Sequence, residues 1–134
     1  MSAAKLEKQI FVQTNNKVGT FAEIAEAVAG ANVNLRGICA WSVKNEAFFA
    51  LLTDNNAKAI AGLTKKGLKA QEQDAVTVAL DDKVGAAAAL AKKIKDAAID
   101  LNYIYGTTCG CGSGPALMVL VSKENTKLAS VLNR

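Results

Sequence analysis

Cys109 and Cys111 sit two positions apart in the glycine-rich string Cys109-Gly110-Cys111-Gly112. Thiols at that spacing can hold a soft metal or cycle between dithiol and disulfide. A closed zinc or iron–sulfur site takes four ligands, and the chain adds only Cys39 and no histidine. Ligand number therefore favours a plain hairpin tip. Cys109 and Cys111 stay as weak metal candidates, and a thiol-based metal-binding or redox protein stays as the alternative function. The lack of histidine also removes the commonest general base. Neither a serine–histidine nor a cysteine–histidine nucleophile can form. The two arginines, Arg36 and Arg134, lie in neither strand-to-helix turn, where one could help cradle a phosphate. No set of acid, base and nucleophile emerges, so neither an enzyme nor a cofactor is expected.

A second set of residues suits binding rather than catalysis. Asn15-Asn16-Lys17-Val18-Gly19 is followed by Thr20, and 66 positions later Asp81-Asp82-Lys83-Val84-Gly85 repeats the pattern. After each glycine comes an apolar set at helical spacing: Phe21, Ile24, Ala25 and Val28, then Ala87, Leu90, Ala91 and Ile94. A helix beginning there presents unpaired N–H groups and a positive dipole end, which suit a carboxylate. Asn16 and Asn34 each offer a donor and an acceptor for orienting a ligand. Asp82 and Asp100 at the matching positions favour an ammonium group and repel a carboxylate. The same residues also serve ordinary turns and caps, and that reading stays open beside the first.

The repeat continues beyond the helices. Val33-Asn34-Leu35 corresponds to Ile99-Asp100-Leu101 and Ile38 to Ile104. Later the offset grows to 69, pairing Thr53 with Ser122, so the second copy has gained three residues around the cysteine string. Extra length at a hairpin tip is cheap because loop-closure entropy grows slowly. The chain thus reads as two copies, 1–74 and 75–134, each small for an independent core.

In the first copy residues 6–14 read as a strand, and 20–30 as a helix with Thr20 and Glu23 at capping-box spacing. Residues 33–43 and 47–53 form a strand pair, the second a continuous apolar run that marks it as central. A helix over 55–68 and a strand over 69–80 follow. The second copy repeats the order with a helix over 85–98, strands over 99–107 and 116–122, and a helix over 125–132. This is an α+β pattern of tandem ferredoxin-like βαββαβ units, fused through the shared strand at 69–80. The second copy lacks its closing strand. That omission predicts an open sheet edge and pairing with another chain, hence a homodimer or higher homo-oligomer. The run Ala86–Ala89 predicts an element packed tightly over the third helix. Tyr103 and Tyr105 share one strand face, where they line a pocket, an interface or the core. Trp41 carries the same three options.

Composition agrees with one small globular body. The chain has 134 residues, 51% of them hydrophobic and 21% charged, which rules out disorder. No apolar run reaches the roughly 18 residues of a membrane span, and the first residues hold no secretory signal. The cytoplasm is therefore expected. The formal charge is +4, but the lysines are dispersed, without the basic stripe and stacking aromatics of a nucleic-acid binder.

A strand, a turn ending in glycine, an amphipathic helix and a strand opening Asn32-Val33-Asn34-Leu35 together resemble the ACT domain. Asn16-Lys17-Val18-Gly19 is similar to that family's Asp-Lys-Pro-Gly turn, with Val18 and Val84 in place of proline. The likeness covers nearly the whole chain and implies a freestanding tandem ACT protein: a regulatory module that binds a small-molecule amino acid between paired units. The site it implies comprises Asn15, Asn16, Lys17, Val18, Gly19, Thr20, Asn34 and Ile38, with Asp82, Lys83, Val84, Gly85 and Asp100 in the second copy.

Overall fold

Ile10 and Val12 are fully buried while Phe11 between them is only half-buried, the period of two that makes a strand with one face on a core. In the computed structural model, which describes residues 3–107 and 115–134, that strand is β1 (Ala4–Asn15). It is followed by α1 (Thr20–Gly30), β2 (Leu35–Val43), β3 (Glu46–Thr53), α2 (Asn56–Lys65) and β4 (Lys69–Leu80). Then come α3 (Ala86–Asp96), β5 (Tyr103–Thr107), β6 (Ala116–Val121) and α4 (Asn125–Leu132). The fold is α+β, built of tandem ferredoxin-like units with the strand order β2-β3-β1-β4-β6-β5.

The chain divides into two units. One is Lys8–Gln73; the other joins Met1–Glu7 to Asp74–Arg134. In the first, β3 lies between β2 and β1, so Leu51 faces both Ile38 and Ile10 across the ladders. A strand paired on both sides explains the continuous apolar run of β3. Ile10, Val12, Ile24, Val28, Leu51 and Leu63 form the centre of its core, each burial contributing about 1.5–3 kcal/mol. Asn55 caps α2, its side chain accepting from the Lys58 N–H at 3.1 Å.

The second unit has its own core around Val76, Val78, Leu90, Ile94, Leu120 and Leu128. No strand follows α4 among the described residues. The row beside β4 is held by β1, whose first residues belong to this unit. The Ala4 N–H donates to Asn133 Oδ1 at 2.8 Å, and Asn133 Nδ2 donates to the Ala4 carbonyl at 2.8 Å. Thr77 Oγ1 donates to the Glu7 carboxylate. The open edge expected beside β4 is therefore closed by the N-terminal strand, because its backbone groups find partners there. The outer strands of the order are β2 and β5 instead.

The repeat is visible in backbone geometry. Gly19 and Gly85 precede their helices at φ 94° and 89°. Helices α1 and α3 end alike. Val33 N–H bonds to the Val28 carbonyl and Asn32 N–H to that of Ala29, while Ile99 bonds to Ile94 and Ala98 to Lys95. This double closure puts Asn32 and Ala98 at φ 60° and 55°, the left-handed position of a Schellman ending. It also consumes the residues before Leu35 and Tyr103, so both strands begin later than their apolar pattern suggests.

Three local expectations are corrected. The capping box does not form, since Gly19 occupies the cap position and Thr20 is already helical. Ile24, Val28, Leu90 and Ile94 point inward, but Phe21 and Ala87 are exposed, because the buried stripe of α1 runs Thr20, Ile24, Ala27, Val28. Ala87, Ala88 and Ala89 also face solvent; the alanine run reflects helix propensity rather than tight packing.

Candidate ligand-binding site

The first turn is tied to the β2–β3 hairpin. The Asn16 N–H donates to the Asn45 carbonyl at 2.8 Å, and its Nδ2 to the Lys44 carbonyl at 3.3 Å. Thr20 Oγ1 lies 2.8 Å from the Lys17 carbonyl and 3.2 Å from that of Asn15, its two acceptors. A left-handed residue is needed where the chain reverses into α1, which is why glycine stands at position 19. No side chain caps this helix; the Thr20 N–H donates to the Lys17 carbonyl at 3.2 Å and the Glu23 N–H to the Gly19 carbonyl at 3.0 Å, while the N–H groups of Phe21 and Ala22 between them have no intrahelical acceptor. Lys17 Nζ stands 4.0 Å from Glu23 Oε2, with both side chains exposed.

Beside this turn lies an open hollow of about 430 Å³. Asn16, Lys17, Gly19 and Thr20 form its polar end; Phe21, Ile38, Ala40, Ala47 and Phe49 form its apolar wall, with Trp41 and Ser42 at the β2 side. Phe21 stacks on Phe49, ring centroids 6.4 Å apart and 20° between planes. Trp41 turns its ring onto Phe48 at 5.5 Å, with Phe11 at 6.4 Å.

Of the residues selected from sequence, Asn16, Lys17, Gly19, Thr20 and Ile38 come together here. Asn15 takes part through its carbonyl alone, and Val18 is fully exposed at the tip of the turn. Asn34 stands at the other end of β2, where its N–H donates to Asp54 Oδ1 at 3.1 Å and its carbonyl accepts from the Asp54 N–H. Nine residues of strand separate it from the hairpin, roughly 30 Å. In the second unit Asp82, Lys83, Val84 and Gly85 form the matching turn, with Lys83 Nζ 3.8 Å from Asp81. Asp100 lies at the far end from it, its carbonyl accepting from Ser122 Oγ at 2.7 Å. Phe21, Ala40, Ser42, Ala47 and Phe49 were not selected from sequence. The alternation Ile38, Ala40, Ser42 was the available signal for the strand wall, whereas Phe21 read as core.

Cys109 and Cys111 lie outside the described residues. Cys39 is a half-buried free thiol on β2. Among the described residues no group of three or more Cys, Asp or Glu could hold a metal ion. Among the described residues no helix is long and apolar enough to cross a membrane. Tyr103 and Tyr105 share a face, their rings stacked at 6.5 Å.

The pattern of the ACT domain pair matches residues 5–133. The chain belongs to the ACT domain pair family. Among solved structures this ACT pair is similar to protein BT0572 from Bacteroides thetaiotaomicron, with a TM-score of 0.87 and 22% identity over 96% of this chain and 88% of that one. The regulatory subunit of aspartate kinase from Thermus thermophilus, in its ligand-free form, gives a TM-score of 0.65 at 13% identity, over 98% and 95% of the two chains. A putative C-terminal regulatory domain of aspartate kinase from Porphyromonas gingivalis W83 gives 0.57 at 16%, over 98% and 93%. Among curated proteins none matches this sequence.

Proposed function

We propose that this ACT domain pair is a non-catalytic regulatory protein that binds a free α-amino acid at the first turn. The observation that carries the reading is the hollow beside Asn16–Thr20, where polar groups and an uncapped helix start adjoin an apolar wall. The α-carboxylate lies toward Lys17 and the first turn of α1, where the helix dipole favours negative charge. Asn16 or Ser42 receives the ammonium group. Membership of the ACT family and likeness to regulatory parts of aspartate kinases support the regulatory role.

The second turn is the weaker pocket, since Asp82 replaces Asn16 and repels a carboxylate. Regulation works by linkage: a ligand shifts the protein toward the arrangement it binds more tightly. The protein acts as a homodimer or higher oligomer through β2 and β5, the outer strands of the order. It works in the cytoplasm, in keeping with the free thiol of Cys39.

A thermal-shift screen against the twenty amino acids tests the reading. A ligand at 100 times its dissociation constant adds about 2.7 kcal/mol of stability, several degrees for a chain this size. A shift with one or a few amino acids supports it; no shift with any of them rejects it.

A further inference from the structure

The two repeats build the same backbone turn but surround it with different side chains. Ladder register sets the correspondence: Ile38 faces Leu51 and Ala40 faces Phe49 in the first unit, while Ile104 faces Leu120 and Gly106 faces Met118 in the second. Phe21 therefore becomes Ala87, Phe49 becomes Met118 and Thr20 becomes Ala86. The exchanges do more than thin the wall. A Cβ on Gly106 would collide with Met118 Sδ, so the Met118 side chain lies over Gly106, in the place that corresponds to the hollow between Ala40 and Phe49. Met118 also packs against the second core. Among the described residues, Met118 thus takes up space in the second unit that the first leaves open.

The lining of the first hollow also selects. Its one charged member is Lys17, which is matched to a carboxylate. No Asp or Glu lines it, so a cationic ligand side chain would find no partner, and an anionic one would compete with the α-carboxylate for a single lysine. A polar side chain against Phe21, Ile38, Ala40, Ala47 and Phe49 would give up water without compensation. An apolar one removes exposed apolar surface: Phe21 is 59% exposed and Ile38 37%. The volume of about 430 Å³ falls within the range of roughly 300–1,000 Å³ usual for small-molecule sites.

We infer that the first turn alone binds the ligand, one per chain, and that the ligand is an α-amino acid with a large apolar side chain, aromatic or branched aliphatic. The inference rests on the amino-acid-binding reading above and adds the ligand class and the stoichiometry.

Isothermal titration calorimetry on the full chain, with L-phenylalanine, L-leucine, L-lysine and L-aspartate as probes, tests it. The expected result is binding of phenylalanine or leucine at one site per chain, at least tenfold tighter than lysine or aspartate. Phe21→Ala gives the first turn the side chain of the second and should weaken binding at least tenfold. Its exposure leaves folding intact, and Phe21→Leu should recover most of the affinity. Tightest binding of lysine or aspartate overturns the ligand class while leaving the amino-acid reading in place. Two sites per chain overturn the single-site assignment. No binding of any probe overturns the inference, and the twenty-amino-acid screen then shows whether the underlying reading falls with it.

Discussion

Gly62 of α2 approaches α1 so closely that a Cβ there would stand 2.8 Å from the Ala27 carbonyl oxygen and 3.1 Å from the Ala31 Cβ. The contact sets how the two helices of the first unit lie over their strands. Its energetic consequence runs against intrinsic propensity. In an exposed helix, glycine to alanine stabilises by about 1 kcal/mol. Here the backbone oxygen cannot give way, and Gly62→Ala should cost about 1–3 kcal/mol. Urea denaturation of the variant measures it, and a gain in stability would refute the close approach.

Gly19 and Gly85 separate backbone strain from crowding. A Cβ at either position meets nothing within 4 Å, so only the left-handed φ opposes a larger residue. Gly19→Ala and Gly85→Ala should each cost about 1–2 kcal/mol, and by similar amounts because their dihedrals nearly coincide. Unequal denaturation midpoints would indicate that one turn is held by something beyond its backbone.

Ala98 is the reverse case. A β-carbon is carried at φ 55° where a Schellman ending normally has glycine. Ala98→Gly should raise stability by about 0.5–1 kcal/mol, relief of strain less the added freedom of the unfolded chain. Asn32→Gly should gain less, since asparagine tolerates this region. Thermal melts of the two variants rank them.

Asn133 clamps the beginning of β1 through both of its amide atoms. Asn133→Ala leaves the Ala4 N–H and carbonyl without these partners and should cost about 1–3 kcal/mol. The loss should be local as well as global. Hydrogen exchange at residues 4–7 should rise well above that of the rest of β1, and uniform exchange along β1 would contradict the clamp.

Dependence on pH should be weak near neutrality, because the chain has no histidine to titrate between about pH 5 and 8. At the alkaline end Lys92 contributes. Its hydrogen bond to Asp96 Oδ2 at 2.7 Å, reinforced by the attraction between the two charges, raises its pKa above the ordinary value of 10.5. A group whose folded pKa is raised stabilises fully below its unfolded value and loses that contribution as pH rises through the folded one. Melting temperature should therefore be nearly constant from about pH 6 to 8. Lys92→Met should flatten part of the decline above the ordinary lysine value; an unchanged alkaline limb would remove Lys92 as a contributor.

The amino-acid sequence by itself determined the repeat, the order of helices and strands, and the two glycine turns. These rest on local physics: periods of 3.6 and 2, a positive φ that only glycine adopts freely, and apolar content that must be buried. Gly19 and Gly85, and the apolar run 47–53 that marks β3 as a central strand, could be read in that way, whereas Asn55 reads as helical in the sequence and instead caps α2. Tertiary structure alone decided what lies beside what across long separations. Ala4 completes the row next to β4 through Asn133, a partner 129 positions away, which no local pattern encodes. Asn34 matched a motif but stands at the end of β2 away from the first turn, because strand length converts a few positions into tens of ångströms. Phe21 fitted the apolar period yet stayed outside, since the core-facing stripe of a helix depends on its rotation against the strands. Met118 lies over Gly106 while the matching Ala40 and Phe49 border a hollow, a difference of side-chain volume that acquires meaning only when register places the two residues face to face.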